Sequence, residues 1–235
     1  MIDWEKVFRD AGWFHWSGIT PSVSQGCADA CREAIEVADK MGLIISCDLN
    51  YRKKMWNYGK DAADVMAPLV QYSDVMFAAE PEYEKIFGLH PVGFNATDAK
   101  DRSYFDRLPD YKTFCGKVSE MVPRCRKIFL ELRNSMTSNH NLLAGMVYSE
   151  GDMKSTGISD IDNIIDCVGT GDAFVGGLIY GLIKYPGDDQ KVVDFALAAS
   201  ALKNTYFGDF SLATVEEVEN LINSNTSVPL KLGRY

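Results

Sequence analysis

At 235 residues the chain is long enough for one large domain with a core of its own, and 46% hydrophobic with 24% charged residues is the balance of an ordinary globular protein. A formal net charge of −9 with no basic stripe argues against nucleic acid as a partner. No run approaches the ~18 consecutive apolar residues that a membrane span requires, so no membrane partner is expected.

In chain order, residues 3–11 read as a short helix capped by Asp3, and 13–17 as an aromatic-rich strand ending at Gly18. Residues 24–41 carry apolar side chains at 27, 30, 31, 34, 35, 37, 38 and 41, a helical period, and Gly42 supplies the stop. A short buried strand is expected at 43–48. The strand–helix–strand rhythm of a parallel α/β sheet is therefore visible in the first fifty residues. Asp48, Asn50 and Arg52 follow that second strand directly, and ligands of parallel sheets gather beyond the carboxyl ends of strands. Extended backbone would put the three on one side, and the fork of Arg52 matches a carboxylate with two parallel bonds. A solvated Arg beside turn-forming Asp and Asn is the competing reading.

Residues 60–72 read as a helix and 74–78 as a strand, with Glu82 just beyond. A lone carboxylate at a helix start is commonly a dipole partner. Residues 88–109, punctuated by Pro91, Gly93, Asn95, Asp98 and Pro109, read as a surface excursion. A helix at 111–122 and a strand at 127–132 come next, placing Arg133 and Asn134 at that strand's carboxyl end. Residues 142–148 and 153–158 read as a hairpin pair turning at Glu150-Gly151. Residues 188–207 form an Ala-rich amphipathic helix, read mainly as core. A last helix at 214–223 opens with the capping box Thr214/Glu217. Residues 1–223 are thus expected to form one core, with 224–235 as a polar tail. The cysteines at 27, 31, 47, 115, 125 and 167 lack metal-site spacing and read as core thiols of a reducing, cytoplasmic compartment.

The most informative stretch is Asp166-Cys167-Val168-Gly169-Thr170-Gly171-Asp172, which leads into the apolar run 173–183. Two glycines ahead of a helix let bare N–H groups approach a ligand, and the positive end of the helix dipole suits a phosphate. A dinucleotide fingerprint fails because Phe174 stands where its third glycine belongs, and a Walker loop fails for want of its Lys. Asp172 is the unusual residue. A carboxylate would repel a phosphate here unless it takes a proton from a hydroxyl attacking that phosphate. An ordinary helix cap is the competing reading.

Asp166 to Asp172 resembles the second signature of the ribokinase-like (PfkB) sugar kinases, with Cys167 and Thr170 in place of Thr and Ala, and within that family it is most similar to the 2-keto-3-deoxygluconate kinases. Residues 13–21, 46–56, 176–182, 198–203 and 208–210 carry the rest of the likeness, which is weak between 88 and 116. The resemblance implies a three-layer α/β/α sandwich on a mostly parallel sheet. It also implies ATP-dependent phosphorylation of a sugar acid, with ATP and Mg2+ as cofactors. Asp172 would be the base, Gly169, Thr170 and Gly171 the anion hole, and Asp48, Asn50 and Arg52 the sugar-acid site. Arg133, Asn134 and Asp166 would serve the nucleotide. Glu82 fits the Glu of a family motif linked to magnesium, acting through water, although Ala79 stands where that motif has Asn. Whether a monovalent cation sits near Asp166 is left open. So are a family-type homo-oligomer, a kinase for another sugar such as fructose or a nucleoside, and an inactive nucleotide-binding remnant. The family's first strands, its Gly-Gly signature and its β-sheet lid have no counterpart here, so the chain is expected to lack the family's N-terminal part.

Overall fold

A computed structural model describes residues 2–101 and 103–224. The tail expected at 224–235 lies, from 225 on, outside the described residues. In chain order the elements are α1 (Trp4–Val7), β1 (Trp13–Ser17), α2 (Ile19–Val23), α3 (Gln25–Lys40), β2 (Ile44–Asp48), α4 (Ala62–Val70), β3 (Val75–Ala78), α5 (Glu80–Phe87), α6 (Ser103–Asp106) and α7 (Leu108–Met121). Then come β4 (Lys127–Thr137), β5 (His140–Ser149), β6 (Asp152–Ser155), β7 (Ser159–Ile161), α8 (Thr170–Lys184), α9 (Asp189–Lys203) and α10 (Val215–Asn223).

The described chain divides into two compact units. Among the described residues the first comprises 2–92, 111–129 and 149–151; the second holds 93–101, 103–110, 130–148 and 152–224. In the first unit, β1, β2 and β3 lie side by side and parallel, with Trp13 opposite Ile44 and Ser46 opposite Val75. Such pairing needs crossovers, and α3 and α4 supply them. Ser24 caps α3 by accepting from the N–H of Cys27, and Asp61 caps α4 by accepting from Ala63. Ile35 and Ala38 of α3, on the face that the helical period marked, are buried, as are Leu69 and Val70 of α4 and Ile45 and Cys47 of β2.

In the second unit β5 has β4 and β6 as neighbours and pairs antiparallel with β7. Glu150 and Gly151 turn the chain between β5 and β6, both at positive φ (52° and 78°), the conformation of a tight hairpin turn. Helix α8 packs on α9, and α9 on α10. The close approach of α8 to α9 depends on Gly177, where a Cβ would come within 2.9 Å of the Cα of Ala196. Phe195, Ala198, Ala199, Leu202 and Val218 form a core cluster there, flanked by Tyr180 and Tyr185.

Several boundaries differ from the sequence reading. Strand β4 runs to Thr137 rather than ending near residue 132. Its last residues, Arg133 to Thr137, are polar but for Met136 and mostly exposed, and a backbone ladder needs no buried apolar side chains to continue. Helix α2 has no counterpart in that reading, α1 ends at Val7 instead of residue 11, and the excursion at 88–109 contains α6. Among the described residues no helix is long and apolar enough to cross a membrane. All six cysteines are free thiols, four of them buried, and burial pushes Cys31 and Cys125 up to about 12.

Candidate active site

In the second unit the chain turns at Gly169 (φ 78°, ψ 6°) and enters α8, whose first bond is Ala173 N–H to the Gly169 carbonyl at 2.9 Å. Only glycine suits the position twice over. The backbone is left-handed, and a Cβ would collide with the carbonyl oxygen of Asp209.

Neighbouring groups hold this turn from several sides. Asp166 accepts from the N–H groups of Val168 and Gly208, both at 2.9 Å. These two bonds, with the charge of Lys203 contributing less, hold its carboxyl below the ordinary aspartate value. The carbonyl of Asn204 accepts from Ile165 N–H at 2.8 Å, and Thr170 Oγ1 donates to the Cys167 carbonyl at 3.0 Å. Arg133 Nη2 reaches Thr170 Oγ1 at 2.9 Å and Glu131 Oε2 at 3.2 Å, and Ser200 on α9 donates to the other Glu131 oxygen at 2.7 Å. Arg133 therefore lies within β4 and braces the base of α8. Asn134 faces elsewhere, donating to the Ala96 carbonyl at 2.6 Å.

Asp172 stands apart from this network. It is exposed in the first turn of α8, and among the described residues its carboxylate makes no hydrogen bond and no ion pair. The Thr170 N–H lies 3.4 Å from the Cys167 carbonyl, and the amides of Gly171 and Asp172 belong to the helix start, where N–H groups have no partner within the helix. Beside them opens a cleft of about 340 Å³, lined by Asp172, Gly176, Tyr180, Phe195, Ala199 and Phe210 among others. Gly176 faces open space there, since a Cβ would meet nothing within 4 Å. An apolar slot ending at free N–H groups has the chemistry to take an aromatic ring at one end and a phosphate at the other.

In the first unit, Asp48 and Asn50 are buried at the end of β2. Asp48 Oδ1 accepts from the Asn50 N–H at 3.0 Å, and Asn50 donates through Nδ2 to Ser17 Oγ at 3.1 Å. Asn50 has φ 41°, a left-handed conformation that this short polar side chain tolerates. The backbone is therefore bent at Asn50, not extended as the alternation of side chains would require. Arg52 is exposed, and its Nη1 lies 3.2 Å from the Tyr51 carbonyl and 3.5 Å from Glu82 Oε1. The guanidinium thus already faces a carboxylate. Glu82 Oε2 accepts from the Ala79 N–H at 2.9 Å, closing the start of α5. Among the described residues no group of three or more His, Cys, Asp or Glu is arranged to hold a metal.

Sequence reasoning missed Ser17, Glu131, Ser200 and Lys203. Glu131 and Lys203 carried a usable signal: Glu131 is a charge inside the otherwise apolar run Phe129 to Leu132, and Lys203 directly follows Ala198 to Leu202, apolar but for Ser200.

By class, then, the molecule has a ribokinase-like α/β fold, with parallel strand pairs in the first unit and an antiparallel pair in the second. Residues 144–214, which include the turn and α8, match the family model for the pfkB family carbohydrate kinases. The chain is 35% identical to the 2-dehydro-3-deoxygluconokinase of Thermotoga maritima. Their structures agree with a TM-score of 0.82 over 94% of this chain and 63% of that one. It is 27% identical to the 2-dehydro-3-deoxygalactonokinase of Haloferax volcanii, over 92% of this chain and 58% of the relative. A maize fructokinase-1 is 25% identical, over 92% of this chain and 60% of the relative. The family recognised from the Asp166–Asp172 signature is borne out. The chain is similar to the pfkB carbohydrate kinases, and it spans about three fifths of the length of the relatives it matches.

Proposed function

We propose that the chain carries the nucleotide-binding, base-bearing part of an ATP-dependent kinase acting on a hydroxyl of a sugar acid, 2-keto-3-deoxygluconate first among candidates, to give its 6-phosphate. The observation that carries this reading is the contrast between two carboxylates six residues apart. Asp166 is fully engaged in building the turn, whereas Asp172 is exposed and unspent at the start of α8. A carboxylate left without a partner at a helix N-terminus is poised to accept a proton.

Asp172 would deprotonate the attacking hydroxyl. The amides around Gly169, Thr170 and Gly171 and the dipole of α8 would stabilise charge on the transferring phosphoryl group. The base of ATP fits the slot lined by Tyr180 and Phe195. Magnesium, which prefers phosphate oxygens and water to an all-protein cage, would arrive with ATP. Arg52 would exchange Glu82 for the substrate carboxylate, supported by Asp48 and Asn50. The deoxysugar-acid kinases among the relatives support the acid, and the fructokinase keeps a neutral sugar as the second reading.

The test is phosphate transfer from Mg-ATP to 2-keto-3-deoxygluconate, with a panel of neutral sugars and the Asp172→Asn variant alongside. Turnover abolished in the variant supports the kinase. A preference for fructose moves the reading to the second substrate class. Mg-ATP binding by calorimetry without turnover limits the chain to nucleotide binding, and the absence of both overturns the proposal.

A further inference from the structure

Lys203, on the last turn of α9, is fully buried. An ammonium in such a place costs several kcal/mol unless its surroundings offset the loss of water. Among the described residues no carboxylate comes within ion-pair distance of it. Its partners are two main-chain oxygens, the carbonyls of Asp166 at 3.4 Å and Tyr206 at 3.2 Å. A cation held by backbone carbonyls in a closed turn is how proteins commonly hold a desolvated monovalent ion. Here the ion is covalently attached.

The two segments that Lys203 joins are zipped together around it. Asn204 accepts through its carbonyl from the N–H of Ile165, and the Asp166 carboxylate accepts from the N–H of Gly208. The same carboxylate feels the Lys203 charge. The residues gathered here therefore do not fit a free monovalent cation beside Asp166, because an ammonium already takes the carbonyls of Asp166 and Tyr206.

We infer that Lys203 is a built-in cation that positions the Asp166–Gly171 turn, so that this chain binds nucleotide without a monovalent metal ion. The inference rests on the kinase reading only for its nucleotide arm.

Thermal melting and Mg-ATP calorimetry on the full chain in potassium, sodium and choline chloride at equal ionic strength test it. The wild type is expected to melt at one temperature in all three salts, and to bind Mg-ATP with Kd values agreeing within about twofold. Lys203→Met should melt lower in choline, and potassium or ammonium should restore part of the loss, a size-selective rescue that a merely structural side chain would not permit. A wild type stabilised by potassium but not choline, or binding Mg-ATP about tenfold tighter in potassium, overturns the inference. If Lys203→Met does not fold, the wild-type melting comparison decides alone. If Mg-ATP binds in no salt, the kinase reading fails while the melting comparison still judges Lys203.

Discussion

The turn at 166–172 and the segment at 48–52 are built in opposite ways. The turn is over-determined: Asp166, Thr170, Arg133, Asn204 and Lys203 all brace it, and only the Asp172 carboxylate is left without a task. The segment after β2 is anchored at its root through Asp48, Asn50 and Ser17. Its proposed functional tip, Arg52, is exposed and held by the Tyr51 carbonyl at 3.2 Å and one long ion pair to Glu82 at 3.5 Å. The difference matches what the two would have to do. Stabilising a transferring phosphoryl group needs donors fixed in advance, while gripping a substrate carboxylate tolerates a side chain that swaps partners.

The largest expected effect comes from the one unspent group. Asp172→Asn should lower kcat by about 10²–10⁴-fold while leaving the Mg-ATP Kd nearly unchanged, since the carboxamide keeps the shape and loses the base. Turnover close to wild type would remove Asp172 from catalysis.

Breaking the turn itself is next. Gly169→Ala places a Cβ against the Asp209 carbonyl at φ 78°, and should cost about 2 kcal/mol or more, roughly 4 °C or more in Tm. Gly171→Ala sharpens the point. Its Cβ would meet nothing within 4 Å, so stability should hold or rise by up to about 1 kcal/mol, and any loss should appear in Mg-ATP binding. Equal melting of the two variants would show that the turn is not strained in the way described.

On the other side of the comparison, Arg52→Ala should raise the KM for the sugar acid about tenfold with little change in kcat. Tm should hardly move, because an exposed ion pair contributes about 0–1 kcal/mol. An unchanged KM would take Arg52 out of the substrate site.

The smallest effect is a pH dependence. The Asp166 carboxyl is held below its unfolded value by the Val168 and Gly208 amides, so its contribution is present at neutral pH. It fades as the pH falls through the lowered folded value. The Tm gap between wild type and Asp166→Asn should therefore narrow in acid; a gap that widens would reverse the sign.

Local signals in the amino-acid sequence already mark much of this architecture. Asp3, Ser24, Asp188 and Thr214 announce helix starts that appear as such, because caps act within three residues and need no distant partner. The turn at Glu150-Gly151 is readable for the same reason. The end of β4 is not, since a strand's ladder is decided by its neighbour and not by its own side chains, and Arg133 falls inside the strand instead of beyond it as a result.

The sequence by itself determined the α/β rhythm, the glycine turn before α8 and the presence of Asp172 in its first turn, all set by local spacing. Only the tertiary structure decided how the polar groups are spent. It gave Asp166 to the turn, Glu82 to the start of α5 and to Arg52, Arg133 to Thr170 and Glu131, and Lys203 to two backbone carbonyls. Several of these partners lie tens of residues apart in the chain, and what joins them is the cost of burying a polar group unpaired, which no local pattern records.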